Sequence, residues 1–203
     1  MYIARWIGAI GPWVVAIVAI WGEKIKSWLF TPNLRISLLD ARGELIRGGV
    51  LIEGQPQTHL TRWYHIRLTN ESRARFPAAH DARVMLVRVE KPGPADGPPQ
   101  VIYQGALPLR WQHQETDPAL RRTIGPEAVA DLLFVSEHCI VNLTPLLIPN
   151  NLPANLTGEM KLWVTLQARS TEADSNVLRV EIAWDGQWDT GEEEMARHLV
   201  LRV

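Results

Sequence analysis

The sequence predicts an all-β fold, an antiparallel β-sandwich of about seven to nine short strands, carried behind one N-terminal transmembrane helix. Three observations point there. Apolar and polar residues alternate with period two in successive runs after Leu34, as strands with one buried face do. Clusters of Gly, Pro, Asn, Asp and Ser separate those runs. The stretch from Trp6 to Trp21, WIGAIGPWVVAIVAIW, carries no charge. The chain's 203 residues suffice for one ordinary domain and an appendage. Residues 1–30 therefore read as a transmembrane or interfacial helix, 31–33 as a short linker and 34–203 as the sandwich.

The uncharged stretch, at about 1.5 Å per residue, spans roughly 24 Å, short of the ~30 Å hydrocarbon core. Counting the residues from Met1 and letting Arg5 and Lys24 snorkel closes that gap. Trp at both ends with flanking Arg5, Lys24 and Lys26 is the pattern of a membrane interface. A cleaved signal peptide fits less well, because Ala19 has Ile17 two residues before it and Gly22 has Ile20, so no small-x-small site follows. At roughly 100° per residue, Trp6, Trp13, Trp21 and Trp28 form one stripe, while Ala4, Gly8, Gly11, Val15, Ala19 and Gly22 occupy the opposite face. That face of mostly small residues suits the close approach of a partner helix. Pro12 removes a backbone donor, so the helix kinks or breaks near Gly11. Arg5 before the span stands against Lys24, Lys26, Arg35 and Arg42 after it, which by the positive-inside rule puts the sandwich in the cytosol.

Thr31-Pro32-Asn33 marks the boundary, since Pro biases its predecessor away from helix, and Leu34-Arg35-Ile36-Ser37-Leu38 opens the first strand. Tyr64, Ile66 and Leu68 alternate with Trp63, His65, Arg67 and Thr69 in another. Val84 and Leu86 begin a strand that continues to Val89, and Val101, Tyr103, Leu107 and Leu109 mark the next. Leu162, Val164 and Leu166 alternate with Trp163, Thr165 and Gln167; Leu178, Val180, Ile182 and Trp184 alternate with Arg179, Glu181 and Ala183. Leu199, Leu201 and Val203 close the series. Turn signals fall at Asn70-Glu71-Ser72, residues 92–99, residues 171–175 and Asp185-Gly186. Trp184-Asp185-Gly186-Gln187-Trp188 reads as a tight hairpin with Asp-Gly at the positive φ angles. Only Gly125–Leu133, read as a single turn across one end, and Glu192–Arg197 have helical character.

Ile66 to Glu90, IRLTNESRARFPAAHDARVMLVRVE, resembles a bacterial immunoglobulin-like pattern in which a strand ending in Thr-Asn turns, passes Pro-Ala and returns as alternating Val and Leu. Leu143–Asn151 and the WDGQW motif are similar to segments of a group of uncharacterised bacterial membrane-anchored proteins. The resemblance implies an immunoglobulin-like sandwich at the bacterial inner membrane and transfers no catalytic residue.

No Walker loop, G-x-S-x-G, H-E-x-x-H, G-x-G-x-x-G or C-x-x-C occurs, so neither a catalytic site nor a cofactor is expected. A single cysteine, Cys139, excludes an intrachain disulfide and any multi-Cys zinc site. Glu137-His138-Cys139 reads as strand, where only Glu137 and Cys139 share a face, which is too few ligands for a metal. Asp185, Asp189, Glu192, Glu193 and Glu194 read as a solvated acidic loop rather than a calcium site. Leu146–Pro153 reads equally as a plug of the core or as an exposed contact patch. Asn70, Asn142 and Asn155 begin glycosylation sequons, which matter only in a eukaryotic secretory lumen.

The net charge is −1, and from Asn33 onward 18 Lys and Arg stand against 21 Asp and Glu, so no nucleic-acid partner is expected. The partners expected are the lipid bilayer and other membrane-protein subunits, met through the helix and the membrane-proximal surface of the sandwich. The function expected is that of a non-catalytic accessory or scaffold subunit of a membrane complex. The alternative is a membrane-tethered module that senses or binds a ligand or protein.

Overall fold

The structure, a computed structural model, describes Trp21 and residues 31–52, 55–71, 78–94, 97–112, 122–153 and 155–203, with backbone alone for 49–52 and 55–57. Two antiparallel sheets face each other. The first holds β1 (Leu34–Leu38), β2 (Glu44–Ile52), β3 (Gln55–Asn70), β7 (Glu127–Ser136), β8 (Ile140–Leu143) and β9 (Leu156–Thr157). The second holds β4 (Ala79–Lys91), β5 (Gln100–Pro108), β6 (Arg122–Ile124), β10 (Met160–Arg169), β11 (Asp174–Trp184) and β12 (Leu199–Arg202), with one short helix, α1 (Glu192–His198), before β12. The strand orders are β1-β3-β7-β8-β9 and β12-β11-β10-β4-β5; β2 lies beside β3, and β6 beside β4.

Period two explains the core. Tyr64, Ile66 and Leu68 from β3 meet Val84, Leu86 and Val89 from β4, Val164 and Leu166 from β10, and Val180 and Ile182 from β11, all fully buried. The polar residues between them face outward. β1 and β2 run along one edge of β3, β1 opposite Ile66–Asn70 and β2 opposite Gln55–Trp63. Between them the chain turns at Gly43, whose φ of +69° and closeness to the Trp63 carbonyl and Tyr64 ring exclude a side chain.

Two features join the sheets. Leu109–Gln112 leaves β5 and crosses to the first sheet, where Trp111 bridges to Ala130, Asp131 N–H donates to Arg110 O at 2.8 Å and Gln112 N–H donates to Val129 O at 3.0 Å. On the opposite side, the Asn176 amide imitates a strand neighbour for β1, accepting from Ile36 N–H at 2.8 Å and donating to Ile36 O at 3.2 Å. β6 pairs with the start of β4 and passes within a few residues into β7. The starts of β4 and β7 therefore share one end of the sandwich with the start of β1 and the end of β3. We call this the near end, because the chain from the N-terminus joins it. The far end holds the end of β4 and the starts of β10 and β12.

Several expectations are corrected. Among the described residues there are twelve strands, because β6, β8 and β9 are too short to show a period. Gly125–Leu133 holds no helical turn: β7 fills most of it, and Ala128, Ala130, Asp131, Leu132 and Leu133 are all buried, the continuous apolar run of a central strand. Glu137-His138-Cys139 is the turn between β7 and β8, with Cys139 at φ 59°. Asp185-Gly186 opens no tight hairpin. The Asp185 carboxylate accepts from Gln187 N–H at 2.9 Å, a local turn of the Asx type, and the chain travels through α1 before returning as β12. Val101 and Val203 lie outside the core, 40% and 78% exposed. Leu146–Pro153 divides, with Leu152 buried and Leu147 74% exposed.

Candidate functional site

The residues predicted to dock a partner helix, Ala4, Gly8, Gly11, Val15, Ala19 and Gly22, lie outside the described residues. So do Trp6, Trp13, Trp28, Arg5, Lys24 and Lys26 of the predicted membrane interface. Trp21 alone is described, helical and 54% exposed. Among the described residues no helix is long and apolar enough to cross a membrane.

Where the chain reaches the domain it is held. Pro32 is buried, Asn33 N–H donates to Asn70 Oδ1 at 3.2 Å, and Glu71 N–H donates to Asn33 O at 2.8 Å. Residues 32–33 thus belong to the near end of the sandwich rather than to a free linker.

One concave surface, of about 370 Å3 and lined by Asp81, Arg83, Met85, Arg169, Ser170 and Thr171, lies at the near end; two others lie at the far end. One cleft of about 440 Å3 is lined by Glu159, Lys161, Ala183, Arg197, His198 and Val200, with Met160, Trp184 and Asp185. Its wall is fixed by His198, whose Nδ1 lies 2.7 Å from Asp185 Oδ2, and by Asp185 N–H, which donates to His198 O. Burial would raise the Asp185 carboxyl, but the bonds from His198 and the Gln187 amide outweigh it and hold the group below the usual carboxylate range. Arg197 is exposed and makes no ion pair with any described residue. A second cleft of about 470 Å3 shares Met160 and Lys161 with the first and is mainly apolar, lined by Pro92, Ile102, Pro153, Leu156 and Leu162. Together they offer an apolar trough beside Lys161 and Arg197.

Between the ends, the outer face of the second sheet is crossed by a ladder centred on Trp163. Lys161 and Arg179 lie over its ring, 5.2 and 5.5 Å from the centroid, and its Nε1–H donates to Glu181 Oε2 at 3.0 Å. Glu181 also meets Lys161 at 3.1 Å. The bond from Lys161, with that from Trp163, holds its carboxyl below the usual range against a smaller opposing effect of burial. Glu90 is 7% exposed and accepts from Arg88 at 2.8 Å and Arg179 at 3.1 Å. Arg88 Nε, also buried, has no hydrogen-bond partner among the described residues.

Two buried polar groups were not anticipated. Arg62, 2% exposed, spans the sheets at the far end, with Nη2 donating to Thr190 O at 2.8 Å and Nη1 to Arg42 O and Gly43 O at 3.3 and 3.2 Å. His65 and Asp131, both 5% exposed, pair at 3.0 Å through Nδ1 and Oδ1. His65 Nε2 has no hydrogen-bond partner among the described residues, its nearest acid being Glu44 at 3.7 Å. Thr144 Oγ1 donates to the Asp131 backbone oxygen at 2.6 Å, beside the pair. The signal in the sequence was parity: Arg62 shares the inward side of Tyr64, Ile66 and Leu68, and Asp131 interrupts the run AVADLLFV.

Among the described residues no three His, Cys, Asp or Glu side chains converge as metal ligands. The acidic loop is dispersed: Glu192 and Glu193 pair with Arg42 at 3.1 and 3.2 Å, and Asp189 accepts from Gly191 N–H at 2.7 Å. No family model, curated protein or solved structure matches this chain.

Proposed function

We propose that this chain is a single-span, membrane-anchored accessory or scaffold subunit of a larger integral-membrane complex, without catalytic activity of its own. The observation that carries the reading is continuity. The charge-free stretch Trp6–Trp21 is followed, after ten residues, by Pro32 and Asn33, which are packed and hydrogen-bonded into the near end of the sandwich. A helix joined so tightly would hold the near end against the bilayer and bring its surface beside whatever the Ala4–Gly22 face meets. In this reading the sandwich is cytosolic, on the inner membrane of a bacterium, and immunoglobulin-like. The orders β1-β3-β7 and β11-β10-β4-β5 support that last point: they follow the A-B-E and G-F-C-C′ arrangements of such sandwiches, and Leu109–Gln112 lies where strand D would pair.

Purification of the full chain in mild detergent with mass spectrometry tests the proposal. An integral-membrane protein of different sequence is expected to co-purify, and Gly11→Leu is expected to release it. Isolation alone, or only with further copies of itself, would count against the scaffold reading. For topology, a cysteine introduced at exposed Val177 should resist an impermeant label in intact cells; labelling would contradict a cytosolic domain.

The position of the two clefts favours a second reading. They lie at the far end, away from the anchor, where a tethered sensory module would present its ligand site. Loss of a bound ligand in Arg197→Ala, with membrane partners unchanged, would support that reading over the first.

A further inference from the structure

β2 has β3 on one side and no strand on the other among the described residues. Open strand edges are templates for further pairing, and proteins ordinarily blunt them. The start of β3, residues 55–59, is open on the side away from β2 among the described residues, and the remaining edges are short or covered. β9 has two residues and β12 four. β1 is capped by Asn176, and the β5 edge is met by Asn151 Nδ2 at Ile102 O and by Leu146 N–H at Pro108 O. β2 runs for nine residues, ELIRGGVLI, with no proline, no bulge in its register and one cation. Among the described residues nothing covers its outer edge, and Glu44 and Arg47 are its only charges.

We infer that β2 is a self-association edge, on which β2 of a second copy of this chain adds antiparallel about a twofold axis at Gly48. The sequence of β2 favours itself as occupant. That axis sets Leu45 opposite Leu51, Ile46 opposite Val50, Arg47 opposite Gly49 and Gly48 opposite Gly48. Apolar residues then meet apolar residues, and the two arginines are displaced from each other. An axis at Arg47 would oppose like charges, and one at Gly49 would set Arg47 against Leu51. The arrangement is isologous, so it closes at two copies. The first sheet then runs unbroken through both molecules.

The test uses the full chain in membranes or nanodiscs, in a Cys139→Ser background. Opposed Cα atoms in an antiparallel pair lie about 4.5–5.5 Å apart, within disulfide range. Gly48→Cys should therefore give a covalent dimer on mild oxidation, while Arg67→Cys, on the outer face of the first sheet, should not. A Cβ at Gly48 would lie 3.3 Å from the His59 ring, which must shift by a few tenths of an ångström to admit it. Independently, Leu45→Lys with Leu51→Lys should abolish the dimer in sedimentation while circular dichroism keeps the β-sheet signal, and Leu45→Lys with Leu51→Glu should restore it. A native chain that sediments as a single copy would overturn the inference. So would a folded Gly48→Cys variant that fails to link, or a double-lysine variant that stays dimeric.

Discussion

Removing the Arg62 guanidinium tests how the far end is held. Arg62→Met keeps the length of the side chain and deletes its donors. The 2.8 Å bond to Thr190 O is one strong charge-assisted contact, and the pair from Nη1 at 3.2 and 3.3 Å counts as about one more. Such bonds contribute roughly 1.5–3 kcal/mol each. Methionine offsets part of the loss, because a buried cation costs free energy to desolvate, and the Arg42 and Gly43 carbonyls lie near water. The net destabilisation should be about 2–3 kcal/mol, or roughly 4–12 °C in melting temperature for a domain of this size. Urea or thermal unfolding of the full chain, followed by tryptophan fluorescence, measures it. Hydrogen exchange should accelerate at residues 190–198, because Thr190 leads into α1 and the wall of the cleft lined by Arg197 and His198. A change below about 0.5 kcal/mol, with exchange at 190–198 unaltered, would refute the strut.

Asn176→Ala removes both bonds that cap β1 and should cost about 1–2 kcal/mol, with exchange faster at Ile36 than in β3. Gly43→Ala should cost about 2 kcal/mol, since the new Cβ would lie 2.8 Å from the Trp63 carbonyl, whereas Gly125→Ala meets nothing within 4 Å and should be near neutral. The Glu181 carboxyl is held below its usual range in the folded state, so its contribution is complete above the unfolded carboxylate pKa of about 4.3 and fades as pH falls through the folded value. Glu181→Gln should therefore be less stable than the native chain at pH 7, with the difference shrinking in acid; a difference that grew on acidification would reverse the assignment.

The sandwich was legible where strands keep one face dry. Tyr64, Ile66 and Leu68, and Leu178, Val180, Ile182 and Trp184, are buried in the order their period implies. Legibility failed where period two is absent. β7 lies inside its sheet, with β3 on one edge and β8 and the Leu109–Gln112 crossing on the other, and is buried along most of its length, so its run of Ala, Val and Leu has no polar alternation to mark it as strand. The Asp185-Gly186 motif does turn the chain, with Gly186 at φ 87°, but whether the next strand follows at once depends on α1 and on Arg62 at Thr190, contacts distant in sequence. The far-end clefts were illegible for the same reason, since Pro92, Ile102, Leu156 and Met160 meet only through the stacking of the sheets. The predicted helix-docking residues were legible as a pattern of small side chains, and they concern a part of the chain where the described structure does not reach.

Extraction of native membranes with high salt and then alkaline carbonate tests the anchored-subunit account most directly. A chain held by a span at Trp6–Trp21 stays in the membrane pellet through both washes, and deletion of residues 1–30 moves it to the supernatant. Release of the full chain by carbonate would contradict the account.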